Sequence, residues 1–518
     1  MTEPEIINSQ ANNKRIAMNT LMLYFRMILI MAVNLYSSRV ILQYLGTDDY
    51  GIYNVVGGIV TMLAFITSSM GAATSRFITF ELGRNDGNVE NLFRISSTIF
   101  YIFSIIVFFL AETVGLWFVS TKLNMPDERI TAAMWVYQCS VITFIISLIS
   151  IPYNALIIAH ERMSAFAYIS VYEAIAKLGI IFILPFVSID RLIFYAILLM
   201  FVQLSVRIIY TSYSKKQFTE ANGKWLWDRE RSRELFAYAG WQISGHLAIV
   251  GYTQGINILL NIYFGPAVNA ARAIATQVQS ALSQFFGNFQ TAIRPQVIKS
   301  YAQGDMQYMH SLVLRTARLS FMLAILIGVP IFAFTDYILS LWLVNPPEHA
   351  VTFVQLTLIA GISNSLSQHT LMAIHATGDI KKFQLVEGAC LLSIVPSAYI
   401  LLKFFNVSAE SVIIVYVVVE VITQFVRVVL VYPKIDLPIR HFFTKVLAQS
   451  LLVLAISAFI AYILMLKAYP TNFLFFMVSV GSMAILECIV IYLFGLDKNE
   501  KNMVCIKLNK LVRKCVNR

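Results

Sequence analysis

Apolar runs of about 20 residues, separated by short polar breaks, follow one another from residue 20 to residue 495. At 1.5 Å per residue, each is long enough as a helix to cross about 30 Å of hydrocarbon. The runs predict spans near 20–44, 52–82, 94–119, 131–159, 165–188, 191–213, 235–263, 267–298, 313–343, 350–376, 383–405, 410–432, 446–466 and 472–495. The pattern therefore predicts an all-α polytopic membrane protein of about 14 transmembrane helices.

Four of these spans carry polar residues at helical spacing. In span eight, Asn269, Arg272, Thr276, Gln279, Ser283, Gln290 and Arg294 fall within about 80° of arc at 100° per residue. Span two repeats the design with Asn54, Thr61, Ser68, Ser75 and Thr79, and span seven adds Gln242, His246, Thr253, Asn257 and Asn261. Span one contributes Tyr36, Arg39 and Gln43. A lipid-facing helix is apolar all round, so such faces meet water, substrate or another helix. Single Ser or Thr residues are expected to make interhelical hydrogen bonds; the stripes together predict a hydrated cavity.

Composition agrees with a lipid environment: 58% of the 518 residues are hydrophobic and 13% charged, with mean hydropathy +0.71. The first 19 residues are polar and lead straight into a full-length run, so the first helix is expected to direct insertion. With a cytoplasmic N-terminus, cytoplasmic ends and loops hold 25 of the 39 Lys and Arg residues and outside loops hold five. That ratio follows the positive-inside rule with both termini in the cytoplasm. The net charge of +11 is thus a topology signal, and no nucleic-acid partner is expected. In the tail at 496–518, Val504, Leu508, Leu511 and Cys515 recur at helical spacing among lysines and arginines, as anionic lipid headgroups would favour.

The chain also repeats itself. Tyr44-Leu45-Gly46 matches Tyr263-Phe264-Gly265 at an offset of 219, Arg76 matches Arg294 at 218, Asp86 matches Asp305 at 219, and 125–128 matches 346–349 at 221. Both copies run in the same direction over an even number of spans, which describes a parallel repeat of two six-helix lobes. The expected organisation is an N-terminal lobe at 1–213, a basic cytoplasmic inter-lobe loop at 214–234, a C-terminal lobe at 235–433, an appended helix pair at 434–495 and the basic tail.

Arg39 and Arg272 carry the sharpest chemistry, because a guanidinium inside a span costs at least about 2.5–3.5 kcal/mol without a partner. No acid lies within a turn of either in sequence, so each needs a carbonyl, water, a distant acid or an anionic ligand such as a phosphate, which guanidinium binds bidentately. Thr276, Gln279, Asn54, Asn257 and His246 would complete the polar surface, and Arg76 and Arg294 mark matching cytoplasmic ends as gate or headgroup contacts. The acids Glu112, Glu173, Asp336, Glu387, Glu420 and Glu487 would pair with Lys177, Arg207 or Arg427, or carry protons. Histidine and cysteine spacings suggest neither a metal site nor a disulfide framework.

With two parallel six-helix halves, a span ending in Leu45-Gly46, an acidic turn, then Tyr50-Gly51-Ile52-Tyr53-Asn54, the chain resembles the bacterial polysaccharide transporters. These include the O-antigen flippases of the multidrug/oligosaccharidyl-lipid/polysaccharide exporter superfamily. The resemblance implies transport of undecaprenyl-pyrophosphate-linked oligosaccharide between leaflets of the cytoplasmic membrane, by alternating access and without enzymatic chemistry. It implies no cofactor, though a proton or sodium gradient could couple, and it suggests polymerase and glycosyltransferase neighbours. In the related lipid-II flippases, arginines on the first, second and eighth helices line the cavity; Arg39 and Arg272 stand on the first and eighth here. An ion-coupled drug or cation exporter of the same superfamily is the competing expectation.

Overall fold

A computed structural model describes residues 18–33, 64–84, 86–122, 127–223, 225–343, 346–437, 439–467, 470, 472–498 and 500–502, with isolated positions between 36 and 56 and at 505. Among them there is no strand. The helices are α1 (Met18–Val33), α2 (Ala64–Gly83), α3 (Val89–Leu110), α4 (Leu116–Lys122), α5 (Ile130–Ala159), α6 (Met163–Ile183) and α7 (Arg191–Gln217). Then come α8 (Arg229–Phe264), α9 (Pro266–Ala302), α10 (Met306–Ala333), α11 (Thr335–Trp342), α12 (Ala350–Thr377), α13 (Lys381–Leu392) and α14 (Ile394–Phe405). The chain closes with α15 (Ala409–Ile435), α16 (Ile439–His441), α17 (Ala448–Lys467) and α18 (Phe473–Val490).

Eleven helical segments among the described residues are long and apolar enough to cross a membrane, so the count of fourteen is not reproduced. The shortfall has a physical cause. α1 is described over only part of its predicted span, and α2 and α9 fall below that hydropathy because polar residues interrupt their apolar ones. These two are among the four helices that carry the predicted stripes.

Several breaks in helical geometry are filled by named side chains. A π-turn at Ala111–Gly115 joins α3 to α4, and the Ala111 carbonyl that accepts the Leu116 amide also takes the Tyr137 hydroxyl at 2.7 Å. Gly115 makes room for it, since a Cβ there would lie 2.1 Å from the Tyr137 oxygen. In α5, Pro152 disturbs the backbone ladder, and Arg207 of α7 donates to the nearby Ile149 carbonyl while its guanidinium lies 4.7 Å from the Tyr153 ring centre. Between α8 and α9, Gly265 takes φ +83 and Pro266 opens the next helix, so a single residue separates the two.

The chain divides into two compact units. Unit 1 gathers residues 1–246, 291–305 and 378–381; unit 2 gathers 247–290, 306–377 and 382–518. Each has its own apolar core, around Phe100, Tyr137, Leu148 and Leu156 in unit 1 and around Ile325, Phe334, Phe353 and Ile413 in unit 2.

Each unit also carries a matching ionic clasp. In unit 1, Arg129 pairs with Asp190 and with Asp49, its Nε donating to Asp49 at 2.8 Å. In unit 2, His349 pairs with Glu410. Residues 129 and 349, like residues 190 and 410, stand 220 apart.

Candidate functional site

Arg272 projects from α9 into unit 2 and is 2% exposed. Its Nε and Nη1 have no hydrogen-bond partner among the described residues. What it has instead is an aromatic face: the guanidinium carbon lies 5.3 Å from the Tyr416 ring centre. A cation–π contact contributes about 0.5–2 kcal/mol, well short of the several kcal/mol that desolvating a charge costs. Among the described residues, no carboxylate pairs with the Arg272 guanidinium.

Tyr416 is fixed from two sides. Gln279, two turns along α9 from Arg272, donates to its hydroxyl at 2.7 Å, and Tyr252 of α8 stacks on its ring with centroids 5.8 Å apart. Thr276, between Arg272 and Gln279, turns its hydroxyl back to the Arg272 carbonyl at 3.1 Å. Asn257 receives no such role, because its amide donates to Gln254 at 3.2 Å on its own helix.

One turn along α15 from Tyr416 begins a second cluster. Arg427 donates from Nε to Glu387 of α13 at 2.6 Å and from Nη1 to Glu420 at 3.3 Å, with further bonds to Asn364, Ser367 and Gln424. All three charged groups are buried. A cavity of about 280 Å³, lined by Phe321, Ile362, Leu366, Phe425, Val428 and Leu451, closes against Ser367 and Gln424. Most of its lining is apolar.

The other acids divide in kind. Glu173 pairs with Lys177 at 2.6 Å and Glu112 accepts from Gln138 at 3.2 Å, whereas both carboxylate oxygens of buried Glu487 lack a partner among the described residues.

The remaining candidates lie in unit 1 or beyond description. His246 Nδ1 is 3.0 Å from the Ser69 hydroxyl of α2 and 3.0 Å from the Gln242 carbonyl, which makes it a helix-pairing residue. Arg76 and Arg294, the repeat's paired marks, meet at one tyrosine. Arg76 lies 5.7 Å from the Tyr238 ring centre and 4.7 Å from that of Phe77, while Arg294 hydrogen-bonds the Tyr238 hydroxyl. At 5% exposure Arg76 does not snorkel to headgroups in this conformation. Gly378, at φ +81, lets it in: a Cβ there would sit 2.5 Å from its guanidinium. Arg39, Asn54 and most of the basic tail lie outside the described residues.

Three features escaped the sequence reading. Gln277, Ser280 and Gln284 form an exposed polar face on α9 beside the predicted stripe, which widens the polar arc to about 160° at 100° per residue. Arg26, six residues inside the first predicted span, lies 4.4 Å from the Phe166 ring centre with its Nε unbonded among the described residues. Glu161, between α5 and α6, has a fully buried side chain that accepts from Gln296 at 2.6 Å and from Lys299 at 3.1 Å, and Asn19 donates to its carbonyl. No spacing rule marks such an acid, since its partners are more than 100 residues away.

Residues 14–300, more than half of the chain, match the family of polysaccharide biosynthesis proteins. The chain belongs to that family. No curated protein matches this polysaccharide biosynthesis family member. Among solved structures it is similar to a multidrug resistance MATE family transporter of the MOP superfamily in an outward-facing conformation, with TM-score 0.73 at 13% identity over 82% of this chain and 96% of that one. It is also similar to a MATE protein in a straight conformation, with TM-score 0.72, 14% identity and the same coverages. A third is a MOP superfamily transporter from Pyrococcus furiosus described as having a binding pocket of reverse polarity, with TM-score 0.68 at 12% identity over 81% and 95% of the two chains. At these identities the likeness shows a shared fold. Family and fold together are those of a multi-pass membrane protein of the polysaccharide biosynthesis family that shares its fold with MATE transporters.

Proposed function

We propose that this polysaccharide biosynthesis protein flips undecaprenyl-pyrophosphate-linked oligosaccharide from the inner to the outer leaflet of the bacterial cytoplasmic membrane. It does so by alternating access between two six-helix halves, with both termini cytoplasmic and a proton or sodium gradient as a driving force. The observation that carries the reading is Arg272, a buried guanidinium with an aromatic cradle and no anion of its own. Pyrophosphate supplies the missing charge, and amide-rich helix faces suit glycan hydroxyls. The matching clasps 220 residues apart support the duplicated halves. A cationic drug would need a free carboxylate here, and Glu387 and Glu420 are both engaged by Arg427.

The test is flipping of a fluorescent polyprenyl-pyrophosphate oligosaccharide in proteoliposomes. Arg272→Ala abolishes flipping at normal expression and Arg272→Lys restores part of it, because an ammonium keeps the charge and loses the fork. Full flipping by the alanine variant would refute the anion site, and export of a lipophilic cation in its place would favour drug transport.

A further inference from the structure

Residues 214–234, marked by the sequence as a basic loop, belong to unit 1, and part of the loop is laid along α3. Three contacts fix the strip around Trp225-Leu226-Trp227. Gly223 lies so close to Arg94 that a Cβ there would fall 2.3 Å from the arginine Cδ. The Leu226 amide donates to the Thr98 hydroxyl at 3.3 Å, and the Trp225 ring stacks on that of Tyr101, with centroids 5.1 Å apart and planes 19° from parallel. Tyr101 is itself held by Arg207 of α7, which donates to its hydroxyl at 3.2 Å. Along the strip the side chains alternate: Leu226 packs against the apolar core of unit 1, whereas Trp225 is 69% exposed and Trp227 55% exposed. Such alternation belongs to a segment with one side on protein and the other on its surroundings.

The level of the strip says what those surroundings are. Arg94, beside Glu90, keeps its charge at the headgroups. Tyr101 stands seven residues further, about 10 Å along α3 at 1.5 Å per residue, and helix side chains lean back toward the N-terminus. The Trp225 ring therefore lies where headgroups give way to hydrocarbon, the zone that indole favours because its ring is apolar and its N–H donates. Charge agrees: residues 214–234 hold six Lys and Arg against four Asp and Glu, and Lys215, Lys216, Arg229 and Arg233 are exposed. We propose that Trp225-Leu226-Trp227 is an interfacial anchor whose two indoles sit among the headgroups at the N-terminal end of α3, with these four cations on the phosphates of anionic lipid. Under the topology proposed above, that leaflet is the cytoplasmic one. The partner is the bilayer surface and not the transported molecule, so the inference stands apart from the reading of Arg272. One strip thereby fastens the loop to α3 and to the membrane at once.

The experiment is tryptophan fluorescence of the full-length protein in vesicles of phosphatidylcholine, with or without phosphatidylglycerol, whose acyl chains are brominated either near the headgroup or near the chain end. Emission of the two indoles is the difference between wild type and the double variant Trp225→Phe, Trp227→Phe, since the four other tryptophans are common to both. The single variants give the same reading one ring at a time. That emission should lose most of its intensity to bromine near the headgroup, little to bromine at the chain end and little to acrylamide in the water. Phosphatidylglycerol should deepen the first loss, and replacing Lys215, Lys216, Arg229 and Arg233 together by Gln should abolish that increment. Strong quenching by acrylamide with none by either brominated lipid would overturn the anchor by placing the indoles in water. Shielding from both kinds of quencher would also overturn it, in favour of a protein cover such as a second copy of the chain. An increment that survives in the glutamine variant would overturn the phosphate contacts.

Discussion

At the scale of single residues, the contrast between Arg272 and Arg427 carries most of the meaning. Both are buried guanidinium groups in unit 2, yet one holds two carboxylates and the other holds a tyrosine ring. Sequence spacing flags Arg272 because no acid stands within a turn of it, whereas Arg427 stands with Lys177 and Arg207 as a pairing choice for the intramembrane acids. What spacing could not reveal was Tyr416, which meets Arg272 from 144 positions away and is one of two tyrosines in a largely apolar helix. Tyr416→Phe keeps the ring and removes the acceptor for Gln279, so it should lower thermal stability by about 1 kcal/mol in detergent melts while Arg272-dependent binding persists. Loss of binding in that variant would mean that the hydroxyl itself contacts ligand.

Among the helices, positions were legible and irregularities were not. Apolar runs located the segments, but the π-turn at Ala111–Gly115 and the break at Ser393 between α13 and α14 depend on neighbours that hydropathy does not contain. The Pro152 distortion is an example with a measurable consequence. Arg207→Ala leaves the Ile149 carbonyl and the Tyr101 hydroxyl without their donor, which should cost about 1–3 kcal/mol in denaturation of the solubilised protein.

The clasp between helix starts gives a second test. Asp190 caps α7 through the amides of Leu192 and Ile193 and also pairs with Arg129. Partial burial raises its pKa, but the Arg129 hydrogen bond and the capping amides prevail and hold it below the usual aspartate range. A depressed native pKa contributes stability that is complete above the unfolded value of about 3.9 and fades as pH falls through the native value. Asp190→Asn keeps the cap and removes the charge. Its melting temperature should therefore be lower than that of wild type near neutral pH, with the difference shrinking below about pH 4.

For the molecule as a whole, the division into units is the least legible feature, because residues 291–305 and 378–381 cluster with the first 246 residues and leave their sequence neighbours behind. Within unit 1, Gly83 of α2 packs directly on α9: a Cβ at Gly83 would lie 2.6 Å from the Ala302 Cβ and 3.0 Å from the Lys299 carbonyl. Glu161 holds the same end of α9 through Lys299 and Gln296. The alternating access proposed above requires this contact to part at some stage of the cycle. Gly83→Val should wedge it open and raise the labelling of a cysteine introduced at Lys299 by a water-soluble maleimide, whereas equal labelling in the parent would mean that the closure already opens freely.

The two clasps have diverged in chemistry while keeping their places. Arg129 is permanently charged and resists acylation, whereas His349 offers an imidazole whose side chain is 27% exposed. A reagent that ethoxyformylates histidine can thus unfasten one half and leave its twin buttoned. His349 thus gives the clasp of unit 2 a chemical handle that the Arg129 clasp of unit 1 lacks.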